Sequence, residues 1–323
     1  MKNIAIMAWW DSSEYEVSLR SAENIIQALW EIGWYRTFLI ICRWRSWVYR
    51  WEGEKECQID KNDFSLTIDS KKIFFDFAYI IIHWTPWENW KLQGYLDIMN
   101  IPYSTGGVLN AAIWFNKQTS KLIVQWAGVL CPKWICIKKW GIYDENKIIS
   151  ELWLPLFVKP NEWWSSFGIT KVKNIGDLHA SIEKAFIECE CILIEESIEW
   201  REFTCGLFKS KDEITVLPIT EIKTTQEFFD YDAKYLWNSQ EITPADIPSN
   251  VKTLIEESSR TIYEKLDCKW IVRIDYLYRD WKLYFLEINL IPWMTNASLV
   301  PQQLKTYWLS LSDILKNQIE WNF

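Results

Sequence analysis

The sequence predicts an α/β protein, α+β in parts, that opens on a parallel α/β unit. Three observations predict it. Asn3–Ala8, Phe38–Cys42 and Phe77–Ile82 are apolar runs of strand length, and a helical pattern with Leu19, Ala22, Ile25, Ile26 and Leu29 on one face follows the first of them. Strand, helix and strand in that order imply a mainly parallel sheet. Further on, short strands at Ile135–Lys138, Leu156–Lys159 and Ile192–Glu195 enclose a helix at Asp177–Phe186, and strands at Glu202–Phe208, Glu213–Ile219, Ile271–Arg279 and Lys282–Asn289 flank a helix at Val251–Leu266.

These groups divide the chain into residues 1–104, 105–196 and 197–323. The 323 residues suit two or three domains. A helix carrying Asn116, Lys117 and Lys121 starts near Ser104, and residues 223–246 form a long polar connection holding Phe228, Phe229, Tyr231 and Tyr235. A connection of that length inside a compact domain is usually functional or disordered.

Composition excludes several classes. With 35 basic and 43 acidic side chains and no basic run, nucleic acid is not the expected partner. No apolar stretch approaches the ~20 residues that span a bilayer, and MKNIAIMA is too short for an export signal, so a cytoplasmic protein with no membrane partner is expected. The eight cysteines form no CxxC pair and read as free thiols. With His83 and His179 the only histidines, a multi-histidine zinc site is excluded.

Three constellations carry chemistry. In IVRIDYLYRDWKLYFLEINLIP, Arg273 and Asp275 share one strand face, as do Glu287 and Asn289, and Asp280–Trp281 is the two-residue turn. Pairing across the turn would gather an arginine, two carboxylates and an amide, a donor set for a hard cation; the alternative is a solvated polar face. Lys159 ends an apolar strand before the hydroxyl-rich Asn161–Gly168, which suits a phosphate cover, although many strands end in lysine simply on reaching water. CILIEESI ends a strand in Glu195 and Glu196, acceptors for an adenine and a ribose or merely the exit of a strand from the core. His83 lies just past a strand end, where open α/β sheets bind ligands.

These stretches, with DSSEYEVSLRSA, FNKQTSKL, SSFGITKV, REFT, YDAKYL and MTNASLVP, occur in an order and spacing in which the chain resembles the bacterial D-alanine–D-alanine ligases, over essentially its whole length. The resemblance implies the ATP-grasp fold and a ligation that runs through an acyl phosphate. It implies a role for each matching residue. Glu14 would hold the first D-alanine's ammonium in a trio with Ser165 and Tyr235, with His83 and Glu88 beside that substrate; Ser298 and Leu299 would receive the second carboxylate. Lys117, Lys159 and Lys234 would contact ATP phosphates, and Glu195, Glu196, Ile198 and Glu202 would line the adenosine site. Asp275, Glu287 and Asn289 would bind two Mg²⁺ ions, with Mn²⁺ as a substitute. Arg273 and the backbone N–H at Trp293 would face the oxyanion. A homodimer is implied too. A ligase joining D-alanine to D-lactate or D-serine, or another ATP-grasp carboxylate–amine ligase, is the nearest alternative; a nucleotide-binding relative without turnover and a Trp-rich surface binder are further ones.

The departures from the family pattern are nearly all of one kind. The chain has 24 Trp and 10 Gly, where average usage would give about 23 Gly. Trp9, Trp10, Trp84, Trp87, Trp90, Trp163, Trp164, Trp281 and Trp293 stand where the family has glycine, while the side chains implied in catalysis are intact. Trp281 falls in a two-residue turn that favours Asp-Gly. The pattern is that of a gene whose UGA codons mean glycine to its own cell and are written here as tryptophan; an engineered or truly Trp-rich chain are the alternatives. Trp47, Trp126 and Trp321 match no glycine site.

Overall fold

The computed structural model describes residues 1–9, 15–50, 56–83, 88–162, 168–198, 201–211, 213–224 and 239–321. Three sheets organise them. The first has seven strands in the order β6-β5-β4-β3-β2-β1-β7. Its parallel centre is β1 (Lys2–Trp9) between β2 (Tyr35–Cys42) and β7 (Phe77–Ile81), as the apolar runs require. The run from β3 (Trp47–Arg50) through β4 (Glu56–Asp60) and β5 (Ser65–Ile68) to β6 (Lys71–Phe74) adds an antiparallel wing. Its strands of four or five residues are too short to show a clear period in the sequence.

Helix α1 (Tyr15–Ile32) packs on this sheet, but its buried face is rotated from the predicted one. Ser18 and Ser21 are buried beside Ala22, Ile25, Ala28 and Leu29, whereas Leu19 and Ile26 are only half-buried. Buried hydroxyls require partners, and both have them, as described below.

The central sheet runs β10-β9-β11-β8, with β8 (Trp134–Lys138), β9 (Leu156–Pro160), β10 (Thr170–Val172) and β11 (Cys191–Glu196). It has its own apolar cluster, built from Leu156, Val158, Ile192 and Ile194 against Leu178, Ile182 and Ala185. The predicted single helix after Ser104 is two helices, with α2 (Lys91–Ile98) before them: α3 (Val108–Phe115) and α4 (Lys117–Trp126). Asn116 separates them in an extended conformation, and its side-chain oxygen accepts from the Thr119 N–H at 2.9 Å, so it starts α4 as an N-cap.

The third sheet runs β15-β14-β12-β16-β17, with β13 on β12. Its strands are β12 (Arg201–Ser210), β13 (Glu213–Val216), β14 (Thr220–Thr224), β15 (Ser239–Ile242), β16 (Val272–Arg279) and β17 (Lys282–Asn289). After α5 (Glu145–Leu152) and α6 (Leu178–Glu188) come α7 (Ser249–Lys265), α8 (Leu299–Thr306) and α9 (Leu311–Trp321). Much of the long polar connection, including Phe228, Phe229, Tyr231, Lys234 and Tyr235, lies outside the described residues. No described helix is long and apolar enough to cross a membrane.

Asp280 and Trp281 have φ of 48° and 64°, the doubly left-handed turn expected between β16 and β17. Trp90, Trp140, Trp153 and Trp308 also have positive φ, at 80°, 70°, 61° and 62°. Such backbone costs a bulky residue roughly 1–3 kcal/mol. Five together would cost about 5–15 kcal/mol, as much as the whole net stability of a typical domain.

Because the Asn116 cap both breaks the helix and starts the turn that carries Lys117, Asn116→Ala is expected to lower stability by about 1 kcal/mol. The urea midpoint reads this directly; an unchanged midpoint would show that the cap contributes nothing.

Candidate active site

The β16–β17 hairpin presents the predicted acidic patch by a route that spacing alone does not give. From the Arg279–Lys282 pair next to the turn, regular pairing would set Asp275 against Leu286 and leave Glu287 on the opposite face. Instead the register shifts between Asp275 and Tyr276, so that Asp275 pairs with Glu287 and Arg273 with Asn289. Leu286 is the extra residue of a β-bulge. Buried positions accordingly switch from Leu283 and Phe285 before the bulge to Ile288 and Leu290 after it.

Around this patch the polar groups hold one another. Arg273 grips Asp275 with two bonds, Nε to Oδ1 at 2.9 Å and Nη2 to Oδ2 at 2.8 Å. The Thr204 hydroxyl of β12 donates to the same Oδ1 at 2.6 Å. Burial works against the Arg273 charge, yet the Asp275, Glu287 and Glu202 carboxylates hold it more firmly protonated than usual. Asn289 Oδ1 accepts the Ile291 N–H at 3.0 Å, fixing the turn that follows β17.

A buried cluster of cations faces the patch. Glu195 on β11 is 3% exposed and pairs with Lys159 of β9 at 2.5 Å and with Lys121 of α4 at 2.8 Å. The Lys121 contact is an ion pair without hydrogen-bond alignment. Burial raises the Glu195 pKa, but the two lysines outweigh it and the net shift is downward. Lys117, one turn before Lys121, is buried as well; burial pulls its pKa down to about 8 although Glu287, Glu195 and Glu88 favour its charge. Burial depresses Lys159 in the same way. Three ammonium groups are thus held where water is scarce, a place that suits a polyanion.

His83, just past β7, is buried, and its Nε2 contacts the Ile291 carbonyl. Its ring stacks on the Trp293 indole at 3.6 Å between centroids, at an angle of 19°. Glu88 is buried near Lys117. Ser298 begins α8, its hydroxyl 2.7 Å from that of Thr295, and Leu299 is the helix's first residue. Glu196 is turned to the Lys133 N–H at 2.7 Å, Ile198 is buried, and Glu202 on β12 lies near Arg273. Glu14, Ser165, Lys234 and Tyr235 lie outside the described residues, as do Trp10, Trp84, Trp87, Trp163 and Trp164.

The structure adds residues to which the sequence reading gave no role. Lys121 sits four after Lys117 on one helix, which puts both on one face. Thr204 gave no signal, because a strand threonine is ordinary until its partner is known.

The sheet orders and the cation cluster opposite the acidic hairpin define an ATP-grasp protein. The family model described as "D-ala D-ala ligase C-terminus" matches residues 123–320. A D-alanine–D-alanine ligase of Azobacteroides pseudotrichonymphae is 44% identical, with 99% of each chain covered. One of Bacteroides fragilis is 39% identical over 100% of this chain and 99% of its own. Among solved structures, the VanG D-Ala:D-Ser ligase of Enterococcus faecalis has a TM-score of 0.86 at 28% identity, covering 100% of this chain and 99% of the other. The D-alanine–D-alanine ligase of Bacillus anthracis has 0.82 at 28%, covering 100% and 97%. The chain belongs to the D-alanine–D-alanine ligase family.

The buried Lys117 has a measurable consequence. Its folded pKa of about 8 lies below the ordinary 10.5. Between these values the unfolded chain binds a proton that the folded chain does not, so stability from this group rises with pH across the window, by at most about 1.4 kcal/mol per pH unit. Lys117→Met removes that rise. Denaturant midpoints for parent and variant at pH values spanning the window should diverge; parallel profiles would mean that Lys117 titrates normally.

Proposed function

We propose that this protein joins two D-alanines at the expense of ATP, and that the buried lysine cluster facing the bulged acidic hairpin is where the phosphates lie. That juxtaposition carries the reading. Phosphoryl transfer needs its charges neutralised and its partners positioned, with little covalent help from the protein. Lys117 and Lys159 supply positive charge there, and Glu195, already fixed by Lys159 and Lys121, offers acceptors at the adenosine end with Glu196, Ile198 and Glu202.

The oxygen set of Asp275, Glu287 and Asn289 fits a hard divalent cation. Among the described residues no three His, Cys, Asp or Glu side chains converge as a ready-made metal cage. Magnesium characteristically takes one or two carboxylates and completes its shell with phosphates and water. Two Mg²⁺ ions held there would neutralise phosphate charge. Arg273 uses Nε and Nη2 on Asp275, which leaves Nη1 to face a developing oxyanion in acyl transfer.

In this reading the first substrate's carboxylate attacks the terminal phosphorus of ATP, and the bond to the bridging oxygen breaks to release ADP. The second substrate's amine then attacks the acyl carbon, loses a proton and expels phosphate. His83 and Glu88, with Glu14, Ser165 and Tyr235, hold the first D-alanine, while Ser298 and Leu299 receive the second, and Lys234 closes over the phosphates. Residues 1–104 serve the first substrate, 105–196 the nucleotide, and 197–323 the metal and second substrate. We place the protein in the cytoplasm, where ATP is supplied, as a homodimer.

The likeness to a D-Ala:D-Ser ligase raises the acceptor question directly. Phosphate release from Mg-ATP should require D-alanine and yield one dipeptide per ATP. L-alanine should be silent and D-serine weak. Turnover with D-alanine plus D-serine or D-lactate, and little with D-alanine alone, would transfer the chain to the alternative acceptor class. No release with any of these acids would overturn the ligase reading.

A further inference from the structure

Helix α1 reaches across the molecule to hold the turn next to His83. The Ser21 hydroxyl accepts the Met294 N–H at 3.1 Å, and Asn24 Nδ2 donates to the Met294 carbonyl at 2.5 Å. Both backbone polar atoms of one residue are therefore bound by side chains some 270 positions earlier in the chain. Ser18, one turn before Ser21 on the same face, donates to the Ile81 carbonyl at 2.7 Å and so fixes the end of β7 that leads to His83. On the other side of the turn, His83 contacts the Ile291 carbonyl and Asn289 binds the Ile291 N–H. Residues 291–294 thus have little backbone freedom left.

We propose that Ser21 and Asn24 are positioning residues for the acyl-transfer step, clamping the turn at Met294 so that the backbone at position 293 and His83 keep one geometry. The proposal rests on the ligase reading. These bonds of Ser21 and Asn24 run to Met294 and not to the lysine cluster, so the clamp governs turnover rather than nucleotide binding. Ser21→Ala and Asn24→Asp, the latter keeping the shape but replacing a donor with an acceptor, should lower kcat with D-alanine by about 10- to 100-fold, the penalty for small misplacements of reacting groups. The KM for ATP should stay within about threefold of the parent, because only a turnover-specific contact is lost. Ser21→Thr keeps the hydroxyl and should restore turnover. Unchanged kcat in Ser21→Ala and Asn24→Asp, or equal losses in kcat and ATP affinity, would overturn the clamp while leaving the ligase reading intact. A parent that releases no phosphate with D-alanine would instead sink the ligase reading itself.

A different observation carries a second inference. Five described tryptophans have left-handed backbone, each where a glycine is the usual solution. Trp281 is the second residue of the β16–β17 turn. Trp308 follows the C-cap of α8, with Leu309 N–H returning to Leu304 O at 3.0 Å in the manner of a Schellman motif. Trp153 ends α5 at φ 61°, ψ 157°, a region populated essentially by glycine alone. Trp90 precedes α2, and Trp140 lies in the turn after β8. Four of the indoles stand largely in solvent, from Trp153 at 72% to Trp308 at 95%, so packing does not offset their strain, while Trp90 is 37% exposed. Trp47, Trp114 and Trp270, by contrast, are buried in the core, which argues against a uniform preference for tryptophan.

The geometry points to glycine at positions 90, 140, 153, 281 and 308 of the protein as its own cell makes it. A gene that writes these positions as UGA, in a cell that reads UGA as glycine, accounts for all five. The test is the codons and the peptides. UGA codons at the five positions, with peptide masses from the native protein that show glycine, are expected; UGG codons or tryptophan masses would overturn the inference. Chains made with tryptophan and with glycine at these positions provide an independent reading. The glycine chain should melt at least about 10 °C higher, and an equal or lower melting point would count against the proposal.

Discussion

One extra residue decides which way the carboxylates of this site face. Side chains alternate along a strand, so a pairing shifted by one residue would send Glu287 and Asn289 away from Asp275. The bulge at Leu286 makes that shift locally, after the turn has already fixed the first four pairs of the hairpin. It also lets Phe285 and Ile288 both be buried although they are three apart. The core and the site therefore require the same irregularity. The bidentate Arg273–Asp275 pair within β16 and the Thr204 bond from the neighbouring β12 then hold the patch in place.

The lysines opposite are expensive. Burying an ammonium costs several kcal/mol unless charge and hydrogen bonds compensate. Here one carboxylate, Glu195, pairs with both Lys121 and Lys159, and burial pulls the Lys117 pKa down although Glu287, Glu195 and Glu88 favour its charge. A structure optimised for stability alone would not gather three ammonium groups at one buried place. Buried ammonium groups opposite an oxygen-rich patch suit a polyanion that arrives with its own counterions, and binding such a ligand would offset their cost in the free protein.

Much of this was legible in the sequence, for identifiable reasons. The strands at the centre of each sheet are apolar runs with clear ends, and the turn at Asp280–Trp281 follows from its place between two strands. Arg273, Asp275, Glu287 and Asn289 were found as a group, but by assuming a pairing that the simple turn register does not provide; a bulge leaves no local mark in Phe285–Glu287. The split between α3 and α4 is not legible because Asn116 reads as a surface residue of a continuous helix until its capping bond is seen. Ser18, Ser21 and Asn24 were illegible for the opposite reason. A polar residue on an amphipathic helix is expected to face water, and only contacts from residues 81 and 294 turn that face inward.

The tryptophans show how strongly the surroundings, rather than the residue, set backbone conformation. Seven pairs fix the β16–β17 hairpin, so the two turn residues must adopt positive φ whatever their side chains. Likewise the carbonyls at the end of α8 are closed by the Tyr307, Trp308 and Leu309 N–H groups, and that closure demands a left-handed residue at Trp308. Side chains that carry chemistry act through their own atoms and must be conserved in kind. A glycine acts through what it lacks, and its requirement is written in the neighbouring hydrogen bonds. Those bonds persist here with an indole projecting into solvent from the strained position, so the backbone still records the residue it was built around.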